Sequence, residues 1–414
     1  MNRIAEKLKA YQAPPDPRHI DVLDGVRALC VFLVAWFHIW QQSWLAPHWT
    51  ARAGESALAD LLLRLRLLAE GQTVSLDFLL RSGYLWVDGL ILLSGFLLYL
   101  PYAEAGTRLP GVWPFYKRRL IRIYPSYLLC VIPLFILACV RGQYASALDA
   151  GKDLAAHLTF TFNLFPATYF GSPINGALWT LAVEMQFYLL FPLLARAYKK
   201  APAVTYVLMA AAAFAFRLYA GRHEDTSPYF NQLPAFLDVY ANGFLAASAF
   251  SALRKSFGGK APDGKIKLLF TALAVLCLVF LVNLARDQAA SGTYSLIRQG
   301  QMDRRFPLSA ALGCFMVCAC FSLAPARFLL GNGLMRFLAS VSLQFYIYHQ
   351  LLAVKLKEWG FPPSSSPQPW MDDYRWQVLY TLCCFLLVFV LATLITYLFE
   401  RPIARALRKR LKAE

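Results

Sequence analysis

Residues 23–44 read LDGVRALCVFLVAWFHIWQQSW. Only Asp24, Arg27 and His38 are ionisable in this stretch, and apolar side chains would cover every side of a helix built from it. A helix needs about 20 residues to cross the hydrocarbon core of a bilayer. One that is apolar all round is buried in lipid or in protein. The stretch therefore predicts a transmembrane helix.

The pattern recurs along the chain. Further spans are expected at Tyr84–Tyr102, Ile123–Val140, Ala177–Tyr198, Ala203–Ala220 and Pro234–Leu253. They continue at Lys267–Ala285, Phe306–Leu323, Phe337–Leu356 and Arg375–Phe399. The expected fold is all-α: a polytopic membrane protein with about ten helices in one bundle. Composition agrees. Of 414 residues 58% are hydrophobic and only 16% charged, against about 25% charged in soluble domains.

A formal net charge of +17 raises the question of nucleic acid. Position answers it. With both termini cytoplasmic, the inner segments hold 25 Lys and Arg and the outer segments 11. That is the positive-inside bias, so the basicity is assigned to topology and no nucleic-acid partner is expected. The expected organisation is a cytoplasmic segment (1–22), a transmembrane domain (23–399) and a basic cytoplasmic tail (400–414). The first 22 residues are polar and broken by Pro14, Pro15 and Pro17, and no small-residue cleavage site follows the first apolar run, so the first helix is expected to be retained. In the long outer segment 45–83, Leu58, Leu61, Leu62, Leu65 and Leu68 have helical spacing and predict a helix lying on the outer leaflet. All nine cysteines fall in apolar segments, so neither a disulfide framework nor a metal site is expected.

Ionisable residues inside spans are costly and point to function. Arg27 and His38 are eleven residues apart, which at 100° per residue puts them on one face, about 16 Å apart along the axis. Arg27 belongs near the cytoplasmic boundary and His38 toward the outer end. Bundle packing of His38 and snorkelling of Arg27 would also account for them. Glu184, in the fourth span, is expected at a depth similar to His38, where a carboxylate could orient an imidazole for acid–base work. Arg118, Arg119 and Arg122 offer guanidiniums at i, i+3 and i, i+4 spacing beside the third span. Such forks suit phosphate oxygens, although a topology anchor would also be basic. Ser94 and Gly95 lie in the second span, where small residues let a backbone or a ligand approach. His349 reads as a bundle histidine, while Asp88 and Asp238 receive no role.

Together these segments resemble the acyltransferase 3 family of integral membrane acyltransferases. The resemblance is carried by LDGVRA (23–28) with the Arg27–His38 spacing, SGFLL (94–98) and FYKRRLIRIYP (115–125). Further along it is carried by LWTLAVEMQFY (178–188), YIYH (346–349) and ERP (400–402). Met185 departs from the family, which often has a second acidic residue there. The resemblance implies transfer of an acyl group, usually acetyl, from cytosolic acyl-coenzyme A to a hydroxyl of a cell-envelope carbohydrate or similar acceptor. It implies a multi-pass protein of the cytoplasmic membrane, with Arg27 and His38 as the essential pair and Arg119 and Arg122 handling the donor. No metal is expected. The competing expectation is a transporter or flippase of a lipid-linked sugar, but the inverted repeats common in transporters are not visible.

Overall fold

The computed structural model describes residues 19–45, 48–50, 73–104 and 111–413. Ten long helices build it. They are α1 (Asp21–Ser43), α2 (Trp86–Glu104), α3 (Val112–Val140), α4 (Trp179–Lys200) and α5 (Pro202–Ala220). The rest are α6 (Leu237–Ser256), α7 (Gly264–Ala289), α8 (Tyr294–Cys320), α9 (Gly333–Glu358) and α10 (Tyr374–Ile395). The expected all-α polytopic architecture is present. Among the described residues, a three-residue antiparallel ladder departs from it, β1 (His48–Thr50) on β2 (Thr73–Ser75), between α1 and α2. The helix expected over Leu58–Leu68 lies outside the described residues.

Among the described residues, nine helical stretches are long and apolar enough to cross a membrane. The remaining long helix, α8, spans 27 residues but carries Arg298, Asp303, Arg304 and Arg305 in its first half. Their placement explains why the bundle tolerates them. Arg305 is fully buried with its Nε 3.7 Å from Asp88, and Arg304 donates to Gln288 at 2.8 Å.

Burial runs opposite to that of a soluble protein. The apolar window of α7 is only 17% buried by protein, whereas that of the less apolar span containing α2 is 78% buried. Leu268, Leu276 and Val279 of α7, and Leu382, Leu386 and Leu394 of α10, are exposed large hydrophobics. These outer helices face lipid, which needs no polar surface. At the centre, α2 packs on α6 through glycine. A Cβ on Gly243 would meet the Leu92 carbonyl at 2.7 Å, and one on Gly95 the Tyr240 carbonyl at 3.0 Å. Such close backbone approach is the usual use of small residues between membrane helices.

The Glu400 motif has a structural use. A π-helical turn over Thr396–Glu400 ends α10 and lets the Glu400 carboxylate accept from buried Gln344 Nε2 at 2.8 Å. The same amide donates to Ser126 of α3 at 2.6 Å. The turn thus ties α10 to α9 and α3.

Candidate active site

Helix α1 reaches both halves of the site because Arg27 and His38 share its inward face. Its first turn is acidic, which suits the positive N-terminal end of a helix. Asp21 accepts from Arg327 Nη2 at 3.2 Å, and Asp24 meets His19 Nε2 at 3.2 Å. These contacts fix the inner end of the helix. Arg27 lies one turn further along.

Arg27 lines an inner cavity of about 120 Å³. Ser94 of α2, Arg119 and Arg122 of α3, Glu184 of α4 and Tyr346 of α9 line it too. Asn175 sets the entry of α4: its side chain accepts from Ala177 N at 3.1 Å and donates to the Ile347 carbonyl at 2.5 Å. Glu184 Oε1 accepts from Ser94 Oγ at 2.9 Å and from the Tyr188 hydroxyl one turn along. The Arg119 guanidinium lies 5.5 Å from the Phe115 ring and 5.4 Å from the Tyr188 ring. Three guanidiniums therefore face one carboxylate. The surplus positive charge suits an anion with several oxygens.

His38 lines a larger cavity of about 670 Å³. Its Nδ1 lies 3.1 Å from Gln41 Oε1. The tautomer protonated on Nδ1 donates to Gln41 and leaves the Nε2 lone pair free. The His349 ring centre is 5.2 Å away. His349 is fully buried, its Nδ1 donates to the Tyr346 carbonyl at 2.6 Å, and its Nε2 has no partner among the described residues. The walls combine aromatic rings, among them Trp40, Tyr84 and Trp179, with the amides of Asn231, Gln288 and Gln301. Val87 and Tyr346 line both cavities, so the two chambers meet at these side chains.

The structure brings Arg27, Arg119, Arg122, Ser94 and Glu184 together, and sets His38 in the adjoining chamber. Three expectations need correction. Glu184 is not beside His38: helix depth does not fix a side chain's direction, and Glu184 turns to the arginines and Ser94. His38 has Gln41 and His349 as polar neighbours instead. Gly95 faces Tyr240 of α6 rather than a cavity, so it serves packing. Arg118 is exposed and does not line the inner cavity, because only the Arg119/Arg122 face of α3 turns inward. Gln41 was missed in the sequence and Tyr346 was read only as part of the YIYH motif, although each is three residues from a histidine on its own helix and so one turn away. Among the described residues, no three His, Cys, Asp or Glu side chains gather as a metal site, and all nine cysteines are free.

A helical bundle with a cationic chamber and an adjoining histidine-bearing chamber defines an integral membrane protein with a two-chambered site. The chain belongs to the acyltransferase 3 family, whose acyltransferase domain matches residues 20–400. It is 26% identical to nodulation protein 10 of Rhizobium leguminosarum bv. viciae, over 41% of this chain and 50% of that protein. It is 28% identical to the O-acetyltransferase OatA of Staphylococcus aureus, over 43% of this chain and 25% of that protein. A Haemophilus influenzae protein of unassigned role is 31% identical over 28% of this chain. The matches span half or less of these relatives' own lengths. No solved structure matches the chain at a significant level.

Proposed function

We propose that the chain is an O-acyltransferase of the cytoplasmic membrane. It takes an acyl group, acetyl foremost, from cytosolic acyl-coenzyme A and passes it to a hydroxyl of a cell-envelope carbohydrate on the outer side. The observation that carries this reading is the two-chambered site: Arg27, Arg119 and Arg122 in one chamber, His38 in the next, and Val87 and Tyr346 shared between them. The Lys and Arg bias orients the cationic chamber to the cytoplasm. Coenzyme A is polyanionic, so its phosphates suit the guanidiniums, and its thin thioester arm suits passage between the chambers. OatA is named for O-acetyl transfer, which supports an acetyl donor and a hydroxyl acceptor.

The chemistry follows from His38. Its Nε2 takes the proton of the acceptor hydroxyl as the oxygen attacks the thioester carbonyl. The carbon–sulfur bond breaks, and the departing sulfur takes the proton from the imidazolium. The products are an ester and free thiol. A transient acyl group on Nε2 would give the same products in two steps.

The test uses purified protein in lipid nanodiscs with labelled acetyl-coenzyme A, reading thioester consumption and donor binding together. His38→Gln keeps polarity and approximate size but has no basic nitrogen. It should lower turnover by about 10²-fold or more while donor binding is retained. Wild-type turnover in that variant would overturn the mechanism.

A further inference from the structure

We propose that the outer chamber takes a carbohydrate bearing an anionic group, a carboxylate or a phosphate ester, which Arg298 holds while a sugar hydroxyl is presented to His38. This rests on reading the outer chamber as the acceptor site and adds the acceptor's charge.

The walls already fit a sugar. Aromatic faces such as Trp40 and Trp179 offer flat apolar platforms, and the side-chain amides can pair with hydroxyls. Many of these amide groups are already engaged. Gln288 donates to the Tyr84 hydroxyl at 2.6 Å and accepts from Arg304 at 2.8 Å, and Asn231 Nδ2 donates to the Tyr169 hydroxyl at 2.6 Å. The wall is therefore held in position before any ligand arrives.

Two buried polar atoms of the wall have no hydrogen-bond partner among the described residues: Asn231 Oδ1 and Arg298 Nη1. Asn231 is only 5% exposed. Buried polar groups are ordinarily paired, and an unpaired one is costly. One of these atoms is an acceptor and the other a charged donor.

Charge gives the sharper argument. Among the described residues no Asp or Glu lines this chamber. Of its two arginines, Arg81 is neutralised by Asp77, Nε to Oδ2 at 2.5 Å. Arg298 has no carboxylate within ion-pair distance among the described residues; the exposed Asp225 of the neighbouring cavity is close enough to feel its charge but does not pair with it. Its guanidinium is held on the Phe230 ring at 4.1 Å and the Tyr294 ring at 4.6 Å, and Nη2 donates to the Tyr294 hydroxyl. Stacking fixes the fork without cancelling its charge.

Arg298 and Tyr294 also line a second outer cavity, of about 680 Å³. Glu224, Asp225 and Asp303 line that cavity and not the His38 chamber. The two cavities adjoin at the arginine, so the acceptor has room to extend beyond one sugar ring.

The test measures equilibrium binding by calorimetry to the full chain in nanodiscs, with no transfer required. The probes are a glucuronate tetrasaccharide, a glucose tetrasaccharide of the same linkage, and the latter phosphorylated at one terminal O6. The wild type should bind at least one charged probe tenfold or more tightly than the neutral one, the worth of a charge-assisted hydrogen bond. Which charged probe wins distinguishes carboxylate from phosphate. Arg298→Gln should bring the preferred probe down to the neutral level and leave the neutral probe unchanged, which also shows that the variant is folded. Arg298→Lys should keep part of the preference. Equal binding of charged and neutral probes by the wild type would overturn the proposal. So would an Arg298→Gln variant that weakens all probes alike. Donor binding and turnover, followed on the same samples, separate the two readings: their loss in the wild type counts against the acyltransferase, not against the anionic acceptor.

Discussion

Two groups of charged side chains sit inside the bundle, and they are built in opposite ways. Around Arg217, Asp238, Arg305 and Asp88 the charges cancel. Arg217 meets both carboxylate oxygens of Asp238, at 3.0 and 2.6 Å, and its Nη1 also donates to the Ala235 carbonyl at 2.9 Å. Arg305 approaches Asp88 and lies 3.8 Å from the centre of the Phe236 ring. Asp88, Asp238 and Arg305 line none of the chambers described above. Around Arg27, Arg119, Arg122 and Glu184 the charges do not cancel, and all four side chains front a cavity. The first group holds α2, α5, α6 and α8 together. The second is open to a ligand. An ionisable residue in a span thus points to function when its charge is left over and faces space, and to structure when a neighbour neutralises it.

The largest expected effect probes the open group. Arg119→Ala combined with Arg122→Ala removes two of three guanidiniums from the inner chamber. Each charge-assisted contact is worth about 1.5–3 kcal/mol, so coenzyme A affinity should fall about a hundredfold or more. Folding stability should fall much less than donor affinity, because, among the described residues, neither arginine is held in a close ion pair and only Arg119 has ring contacts, with Phe115 and Tyr188, to lose. Radiolabelled donor binding beside a thermal melt reads both quantities. Undiminished affinity would reduce this cluster to a topology anchor and break the contrast.

Asp238→Asn probes the closed group and should do the reverse. It leaves Arg217 buried without its counter-charge, which costs about 3–5 kcal/mol. The melting temperature and the yield of folded protein should drop, while donor affinity per folded molecule stays at the wild-type level. Replacing the pair together, Arg217→Met with Asp238→Leu, should recover much of the loss, because a buried pair is often worth no more than apolar packing. A stable Asp238→Asn variant with weakened donor binding would mean that the two groups are one electrostatic unit.

The contrast also explains what the sequence made legible. Ten apolar stretches separated by basic ones are plain to read, since each crossing must satisfy its own backbone. The guanidiniums of Arg118, Arg119 and Arg122 are legible as a cluster because their spacing brings them together on one helix, but their meeting with Arg27 across the bundle is not. Nor are other partnerships between helices. Asp88 and Asp238 had no visible role because Arg305 and Arg217 lie on other helices, and rotation about a helix axis is not written in spacing alone. For the same reason the partners of Glu184, Ser94 and Tyr188, are not legible from its depth in the span. The span expected from Phe306 belongs to a helix that begins at Tyr294, whose charged first half reads as loop until Asp88 and Gln288 are seen to receive it.

The smallest expected effect concerns a closed cluster outside the long apolar helices, on the helix Ala147–Leu158 between α3 and α4. Asp153 there accepts from the Tyr144 hydroxyl at 2.7 Å and from Ser172 Oγ at 2.8 Å, with His157 Nδ1 at 3.2 Å. Burial pushes the Asp153 carboxyl up, but the hydrogen bonds from His157, Tyr144 and Ser172 outweigh it and hold the group below its ordinary 3.8. A carboxyl depressed in the folded state binds protons more readily once unfolded. Its contribution to stability is therefore full above the ordinary value and is lost as pH falls through the folded value. Asp153→Asn should cost about 1 kcal/mol at neutral pH, the scale of one net hydrogen bond. It should also flatten the decline in melting temperature that the wild type shows as pH falls below about 4. Melting curves from pH 7 to pH 3 on both proteins measure this, with donor binding at pH 7 as the control. If the variant and the wild type decline in parallel, the acid response belongs to other carboxyls and Asp153 is held by packing alone.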